Sequence, residues 1–500
     1  MTDKIVEYDR GSLSSTQLEL HGLAAIETPS RGPPKKVVTP FLYAPPPTAW
    51  YSKITEVLTS SDNNIKEAKT KTYSIKYQSN YTMDRLLVTT ACQKWPALRV
   101  KDECRGLVEI CWTHNIGSNI FAEGLMMFGT KPGPRFDAIS CDIYNQHYRG
   151  KDRLERAIDL GNVEAMENWG NHLPVYRTTF TLPFFNQEAL PLAIPLVYCR
   201  QNQVSYHFTL KRGISTFLRM RRRDTPEGPF RIIKPDLRFL EGVPEDGLLE
   251  IPQIIGQYAK QSEEEIRYEI NCRDDEEDPR VTQERIIYFR DIVSLDDKNP
   301  TPSGVATKQE LKSEYPIRAV HWVAENVTAQ KRGNLSNYTT NPDNLQAGYN
   351  PMSNISIDIP GIGSRVGGGL PTEYFSRTEP DRHSLSRPDE EGYCMWSPNL
   401  TPYSIYPGVA IGNKGPAPMV LHVTPGSQDP YDIIREDGNE IDVDDFEISA
   451  STSKAGAAPA SASAYVLRVR LEVMRKMVFK KGPSGADGIP TFEVIFDKEK

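Results

Sequence analysis

Residues 465–473 read YVLRVRLEV, and this stretch decides the fold class. Every second position is apolar, while Arg468, Arg470 and Glu472 stand between the later apolar positions. Side chains alternate between the two faces of a β-strand, whereas a helix would repeat its apolar positions every 3–4 residues. The pattern therefore predicts a strand with one apolar, buried face and one polar face.

The same period of two recurs along the chain, in segments separated by turn-rich connections. Regular examples are 73–77, 204–210 and 355–359, and less regular candidates are 86–91, 106–112, 175–182, 193–199, 285–294, 317–324, 419–424 and 491–496. Helical spacing occurs only around 50–58 and 151–160. Many short strands with few helices predict an all-β sandwich or barrel, and 500 residues exceed one ordinary sandwich. We therefore expect two sandwiches in tandem.

Composition narrows the class of protein. Acidic residues outnumber basic ones 66 to 59, giving a net charge of −7, which argues against a surface wholly adapted to nucleic acid. No stretch approaches the roughly 18 uninterrupted apolar residues of a membrane span, so we expect no integral membrane protein. Residues 1–22 mix acids with bases and lack an apolar centre, so we expect no secretory signal. The seven cysteines form no C-x-x-C pair, which favours free thiols over disulfides or a zinc site.

Composition shifts divide the chain into four predicted parts. Long loops are expected where acidic, Asn-rich, Gly-rich or Ser/Ala-rich stretches interrupt the strand pattern, at 259–284, 326–354, 360–371 and 450–464. The predicted parts are an N-terminal arm at 1–35, a first sandwich at 36–222, a second sandwich at 223–482 and a C-terminal tail at 483–500.

No set of residues predicts catalysis, a cofactor or a metal. The nucleophile-elbow, zinc-protease and P-loop motifs are absent from the sequence. Residues 361–366 resemble a dinucleotide loop until Val366 replaces the third glycine, and no helix pattern follows, so we interpret them as a loop. The acidic runs within 259–284 offer carboxylates for glycoside hydrolysis, but adjacent acids in a polar loop are usually solvated. We therefore expect a protein that is not an enzyme.

A basic cluster and six glycosylation sequons are the remaining candidate sites. The cluster permits phosphate binding, and the interleaved apolar residues indicate partial packing. Because the chain as a whole is acidic, we favour a polar strand face or a salt-bridged surface between subunits. Its members are Lys211, Arg212, Arg219, Arg221, Arg222 and Arg223. The sequons are candidate glycosylation sites, most of which we interpret as chance matches in Asn-rich loops. They lie at Asn80, Asn326, Asn334, Asn337, Asn354 and Asn399.

Several apolar, aromatic and proline-rich segments resemble the major capsid proteins of nucleocytoplasmic large DNA viruses. The likeness extends, in the same order along the chain, from about residue 107 to 475. In the first half it includes VEICWTHNIG at 108–117, FD at 136–137, DIYN at 142–145, LPFF at 182–185 and ALPLAIP at 189–195. In the second half it includes YPIRAVHWV at 315–323 and the segments 396–423 and 464–474. The chain departs from the family at Tyr198-Cys199-Arg200, where a Gln-Tyr-His-Glu-like run is usual, and in the acidic insert and the tail. The expected branch is marseillevirus-like or asfarvirus-like.

The resemblance implies two tandem eight-stranded jelly rolls with long loops and a few short helices. It further implies a structural protein that forms homotrimers, which tile as pseudo-hexagonal capsomers in an icosahedral virion shell assembled in the host cytoplasm. Loops 259–284, 326–354 and 360–390 would form the outer tower of the capsomer. The implied partners are further copies, minor capsid and penton proteins, and an internal viral membrane contacted by the arm at 1–35, with no specific nucleic acid and no cofactor.

Three alternatives remain open from the residues. One is a minor capsid or scaffold jelly-roll protein of the same virus class. Another is a carbohydrate-binding or glycoside-processing β protein that uses the acidic insert at 259–284. The third is a nucleic-acid binder that uses the basic cluster, which predicts salt-sensitive DNA binding.

Overall fold

The structure is a computed structural model. It describes residues 52–60, 73–78, 85–148, 161, 167–188, 192–260, 284–296, 299–359, 364–366, 370–383, 385–399, 418–426, 464–484 and 490–497. The predicted arm at 1–35, nearly all of the acidic insert, the helix at 151–160 and Asn80 lie outside these ranges.

Eight antiparallel strands build the first half of the chain. They are β1 (Ser52–Val57), β2 (Tyr73–Gln78), β3 (Arg85–Trp95), β4 (Phe121–Phe128), β5 (Lys131–Phe136), β6 (Tyr176–Thr181), β7 (Val204–Leu210) and β8 (Gln253–Lys260). One sheet has the order β1-β8-β3-β6, and the other has the order β2-β7-β4-β5. The last strand thus returns to lie between the first and the third, which is the jelly-roll arrangement.

The second half repeats this order. Its strands are β9 (Glu284–Asp296), β10 (Thr307–Leu311), β11 (Ile317–Asn326), β12 (Met352–Ile359), β13 (Ser364–Val366), β14 (Cys394–Trp396), β15 (Met419–Pro425) and β16 (Ala464–Ser484). The sheets run β9-β16-β11-β14 and β10-β15-β12-β13, so adding eight to each strand number converts the first jelly roll into the second. The chain therefore contains two copies of one topology.

Shorter elements connect and extend the sheets. The minor strands are Thr59–Ser60, Leu98–Val100, Val108–Trp112, His172–Leu173, Ile194–Pro195, Leu218–Arg222, Arg231–Ile233, Leu240–Glu241 and Thr301–Pro302. The helices are α1 (Ile116–Asn119), α2 (Ala138–His147), α3 (Ile214–Phe217), α4 (Val327–Lys331) and α5 (Glu379–Arg382), the last preceded by a π-helical turn at Tyr374–Thr378. Single 3₁₀ turns occur at Asp102–Cys104, Phe185–Gln187, Leu196–Cys199, Leu237–Phe239 and Leu345–Ala347. Among these described helices, none combines the length and apolarity needed to cross a bilayer.

The structure confirms most strands predicted from the period of two, and it corrects two local assignments. The helix predicted around 50–58 is wrong, because Ser52–Val57 forms β1 and pairs along its whole length with β8. Pairing with a distant strand overrides a weak local period. The strand predicted at 193–199 is only two residues long and continues into a buried 3₁₀ turn.

The predicted domain boundaries also change. Strand β8 pairs with both β1 and β3, so the first jelly roll extends to Lys260 rather than ending at 222. The predicted tail at 483–500 contains a further strand, β17 (Pro490–Asp497), which pairs with β16. Phe492 and Val494 of β17 are buried in the core of the first jelly roll, which explains why this segment is ordered as a strand.

Two apolar cores fill the two jelly rolls. The first is rich in aromatic rings and extends into the second half of the chain through Phe289, Met477 and Phe479. The second lies between the sheets of β9–β16 and includes Trp322, buried against Phe375. Because the first core takes side chains from both halves, the two jelly rolls are joined by packing as well as by the chain connection.

Candidate functional site: the buried seam between the jelly rolls

The segment Asp137–Tyr148 follows β5 of the first jelly roll and lies on the second. Its helix α2 begins with a capping box, in which Asp137 Oδ1 accepts from the Ser140 amide at 2.8 Å and Ser140 Oγ accepts from the Asp137 amide at 2.7 Å. The segment contacts the outer face of the β9-β16-β11-β14 sheet. We call this contact the buried seam.

The alternation of side chains along β16 explains which residues the seam covers. Leu467, Val469 and Leu471 point into the second core, so Arg470 and Glu472 point to the opposite face. The alternation predicts a strand that is buried on one side only, and this expectation is wrong, since only 2% of the Arg470 side chain and 1% of the Glu472 side chain are exposed. The charged row is instead buried under the first jelly roll.

Glu472 is the centre of one ionic cluster in the seam. Its Oε2 accepts a hydrogen bond from Tyr148 Oη at 2.5 Å, and the guanidinium groups of Arg290 and Arg318 each approach a carboxylate oxygen to 3.5 Å. Burial alone would raise the pKa of Glu472, but Arg290, Arg318 and the adjacent His321 lower it to about 2. The carboxylate therefore stays ionised and holds cations from β9 and β11 against the tyrosine of the first jelly roll.

Arg470, two residues before Glu472 on β16, also joins the two jelly rolls. Its guanidinium lies 2.8 Å from Asp137 Oδ2 and 2.6 Å from Asp296 Oδ1. Burial opposes ionisation of Asp137, yet the Arg470 charge and the hydrogen bonds from Ser140 lower its pKa. Asp137 thus has two roles, because it caps α2 and anchors that helix to β16.

A second bridge joins loops of the two halves through His114. Nδ1 lies 2.7 Å from Glu167 Oε1, and Nε2 lies 2.9 Å from Glu390 Oε1. Burial opposes a charged imidazole, but the two carboxylates hold the pKa of His114 well above its ordinary value. The imidazolium is therefore a cation held between one carboxylate of each half.

Asp142 on α2 completes the seam with hydrogen bonds. It accepts from Asn115 Nδ2 at 3.0 Å, from Ser118 Oγ at 2.7 Å and from Tyr338 Oη of the second half at 2.9 Å. Burial raises the pKa of this carboxyl to about 6, although these donors favour its ionised form. Four contacts each join a side chain of the first half to one of the second half, so the seam fixes the two jelly rolls to each other. They are Tyr148–Glu472, Asp137–Arg470, His114–Glu390 and Asp142–Tyr338.

The same part of the molecule offers no arrangement for metal binding. Within the described ranges, His, Cys, Asp and Glu side chains form no group of three that could hold an ion. Residues 364–366 of the glycine-containing loop form strand β13, which pairs with β12. The carboxylates of the carbohydrate hypothesis lie in the acidic insert, outside the described residues.

The structure places Arg219, Arg221 and Arg222 on the strand Leu218–Arg222, and Lys211, Arg212 and Arg223 in the adjoining connections. Arg221 donates from Nε and Nη2 to Glu109 and lies over the rings of Trp169 and Phe230. Arg223 also covers Phe230, and Arg222 covers Phe239. Guanidinium groups also donate to backbone carbonyls, from Arg212 to Leu249, Arg219 to Asp343 and Arg223 to Gly106, and Arg219 lies over Trp169. These contacts favour a strand face that is paired within the chain over a phosphate-binding groove.

Four of the six sequon asparagines are buried, namely Asn326, Asn334, Asn337 and Asn399. The Nδ2 atoms of the first three donate to the backbone carbonyls of Thr339, Pro342 and Asn341, respectively. A glycan on a buried, hydrogen-bonded amide would require local unfolding, so burial favours the interpretation of these four sequons as chance matches. Asn354 is exposed with a φ of 49°, and its glycosylation stays a prediction, as does that of Asn80.

Comparisons with known proteins were made by family model, by sequence and by structure. No family model matches the chain. The major capsid protein of Wiseana iridescent virus is 21% identical over 384 residues, covering 72% of this chain and 73% of that protein. The major capsid protein of Costelytra zealandica iridescent virus is 20% identical over 377 residues, covering 72% of this chain and 77% of that protein.

Comparison with solved structures identifies the same double jelly-roll fold. The Faustovirus major capsid protein superposes with a TM-score of 0.58 at 8% identity, covering 86% of this chain and 91% of that one. A PBCV-1 capsid structure gives a TM-score of 0.56 at 13% identity, covering 88% and 96%. By sequence this chain is similar to the major capsid proteins of two iridescent viruses, and its fold is the double jelly roll of the PBCV-1 and Faustovirus capsid structures.

Proposed function

We propose that this chain is the building block of an icosahedral capsid, that three copies close into one capsomer, and that capsomers tile the virion shell. The observation that carries the proposal is the repeat, because two jelly rolls of identical strand order are fixed to each other by the buried seam. Three such chains present six similar bodies in a ring. A ring of six similar bodies has the pseudo-hexagonal outline that packs into a continuous lattice.

The fold also suits a protein used at high copy number. Jelly rolls pair most of their strand edges, which limits uncontrolled association between exposed strands. The relatives carry the name of a structural protein, which supports a role in assembly rather than turnover. We place the long loops in an outer tower and the N-terminal arm at the inner base, near minor capsid proteins, penton proteins or an internal membrane, with assembly in the host cytoplasm.

Light scattering on the purified full-length chain tests the proposal. The expected mass is three times the 56.4 kDa of one chain across a wide concentration range. A mass of one chain at every concentration would contradict the proposed capsomer. In virions, the chain should also be the most abundant protein, whereas a minor capsid protein would be present at a low ratio.

A further inference from the structure

One carboxyl group in the buried seam is surrounded by uncharged donors only. Asp142 lies on α2 and is fully buried. Oδ1 accepts from Asn115 Nδ2 and Ser118 Oγ of the first half, and Oδ2 accepts from Tyr338 Oη of the second. Ser336 is a further hydroxyl donor. Among the described residues, no cation is hydrogen-bonded to Asp142, in contrast to Asp137 and its partner Arg470.

The charged groups around Asp142 carry an excess of negative charge. Glu390 of the second half is the acid that faces Asp142, and it shares the His114 imidazolium with Glu167. The other cation is Lys211, which directly follows β7, and burial lowers the pKa of its ammonium group. Three carboxylates therefore face two cations. The titratable side chains that face Asp142 are Cys141, Lys211, Tyr338, Glu390 and Tyr393, with His114 and Glu167 beyond Glu390.

The same cluster is also short of hydrogen-bond donors. Glu390 Oε2 is a buried atom with no hydrogen-bond partner among the described residues, and the Tyr393 hydroxyl beside it has none there either. A buried carboxylate oxygen without a donor is rare, because its lost hydration is not replaced. The excess charge and the missing donor both favour the uptake of a proton. Burial and the Glu390 charge accordingly raise the pKa of Asp142 from 3.8 to about 6.

We propose that Asp142 takes up a proton in mildly acidic solution, and that this proton strengthens the joint between the two jelly rolls. The proton comes from solvent and binds to Oδ2, which lies 2.9 Å from Tyr338 Oη. The neutral carboxyl then donates to the tyrosine hydroxyl, while Oδ1 keeps its two donors from the first half. The hydrogen bond across the seam is preserved, and the repulsion between Asp142 and Glu390 is removed. This inference concerns the joint within one chain and goes beyond the proposed capsid function.

The joint should therefore be more stable at pH 5 than at pH 7.5. Because the pKa of Asp142 is about 6 in the folded chain and 3.8 in the unfolded chain, its stabilising contribution is complete below 3.8 and is lost as the pH rises through 6. From pH 5 to pH 7.5, this one group should raise the equilibrium constant for unfolding about tenfold. Comparison with a variant at this position separates Asp142 from the other titrating groups.

The first test is Asp142→Asn, which keeps the shape of the side chain and removes its titration. Denaturant unfolding is measured at pH 5 and pH 7.5, at one protein concentration. The ratio of the unfolding equilibrium constants, wild type to variant, should rise about tenfold from pH 5 to pH 7.5. Asp224→Asn, at an exposed acid, is the control, and its ratio should stay constant. A ratio for Asp142→Asn that is the same at both pH values, or that falls, would overturn the inference.

A pair of conservative substitutions remains decisive if Asp142→Asn fails to fold. Tyr338 and Tyr393 are both buried, and their rings lie 5.2 Å apart, but only Tyr338 donates to Asp142. A hydrogen bond to an ionised carboxylate is stronger than one to a neutral carboxyl. Tyr338→Phe should therefore raise the unfolding equilibrium constant by a factor about threefold larger at pH 7.5 than at pH 5. Tyr393→Phe should have the same effect at both. An effect of Tyr338→Phe that does not depend on pH would show that Asp142 keeps one protonation state.

Discussion

The corresponding sheets of the two jelly rolls share their strand order but differ in the chemistry of their outer faces. The face covered by the same chain carries Arg470 and Glu472 in buried ion pairs, whereas the equivalent face of the first jelly roll carries exposed Lys94 and Arg177. A contact within one chain forms once during folding, and its ions can be paired permanently. An exposed lysine or arginine keeps its hydration and needs no buried partner, so equal strand order does not require equal surface chemistry.

The largest expected effect is at the centre of the buried seam. Glu472→Gln leaves Arg318 buried without its carboxylate and leaves Arg290 with Glu188 alone, and should lower the free energy of unfolding by about 3–5 kcal/mol. Denaturant unfolding measures this loss. Glu310→Gln is the matched control, because Glu310 forms an exposed pair with Lys312 and should change stability by less than about 0.5 kcal/mol. Equal effects of the two substitutions would show that the seam ions are not coupled to folding.

Acid should weaken the seam in a defined range of pH. The pKa of Glu472 falls from 4.5 to about 2 in the folded chain, so its contribution is complete above pH 4.5 and is lost as the pH falls toward 2. This difference corresponds to about 3 kcal/mol. Unfolding of the wild type and Glu472→Gln between pH 6 and pH 2.5 should show a converging difference in stability. A difference that stays constant over this range would contradict the assignment.

Alkali should weaken the His114 bridge. The pKa of His114 is raised in the folded chain, so its contribution is complete below the ordinary value of 6.5 and is lost as the pH rises through the folded value. His114→Gln should lower stability by about 1–2 kcal/mol at pH 6 and by less at alkaline pH. His172→Gln, at an exposed histidine, is the control for thermal unfolding across this range. A loss that grows toward alkaline pH would rule out the charged bridge.

The smallest effect is expected in the basic cluster. Because Arg221, Arg222 and Arg223 lie over aromatic rings of their own chain, replacing them with glutamine should leave retention on DNA unchanged between 50 and 200 mM salt. If they instead gripped phosphates, the slope of log K against log salt would fall by about 0.9 for each contact removed. Filter binding of the wild type and the triple variant to duplex DNA distinguishes the two outcomes.

The sequence predicts most strands correctly, but it does not predict what covers their outer faces. The pattern at 465–473 predicted a strand and its inward residues correctly, because alternation is a local property of the backbone. It could not show that Arg470 and Glu472 would be covered, since the covering helix lies more than 300 residues earlier in the chain. A row of charges on a strand has the same local pattern whether water or another body faces it.

The predicted domain boundary at residue 222 is wrong for a related reason. Strand β8 was separated from its partners β1 and β3 by more than 150 residues, so nothing near position 222 indicated that one more strand of the first jelly roll was still to come. Ser52–Val57 was likewise assigned by local spacing, although its pairing with β8 decides its structure. The buried asparagines of the sequons show the same limit, because their partners are carbonyl groups of a folded loop.

Electron cryo-microscopy of the purified assembly tests the central claim most directly. We expect a particle with threefold symmetry and a six-lobed outline, built from three chains with two jelly rolls each. A particle without a closed ring of three chains would contradict the capsomer itself.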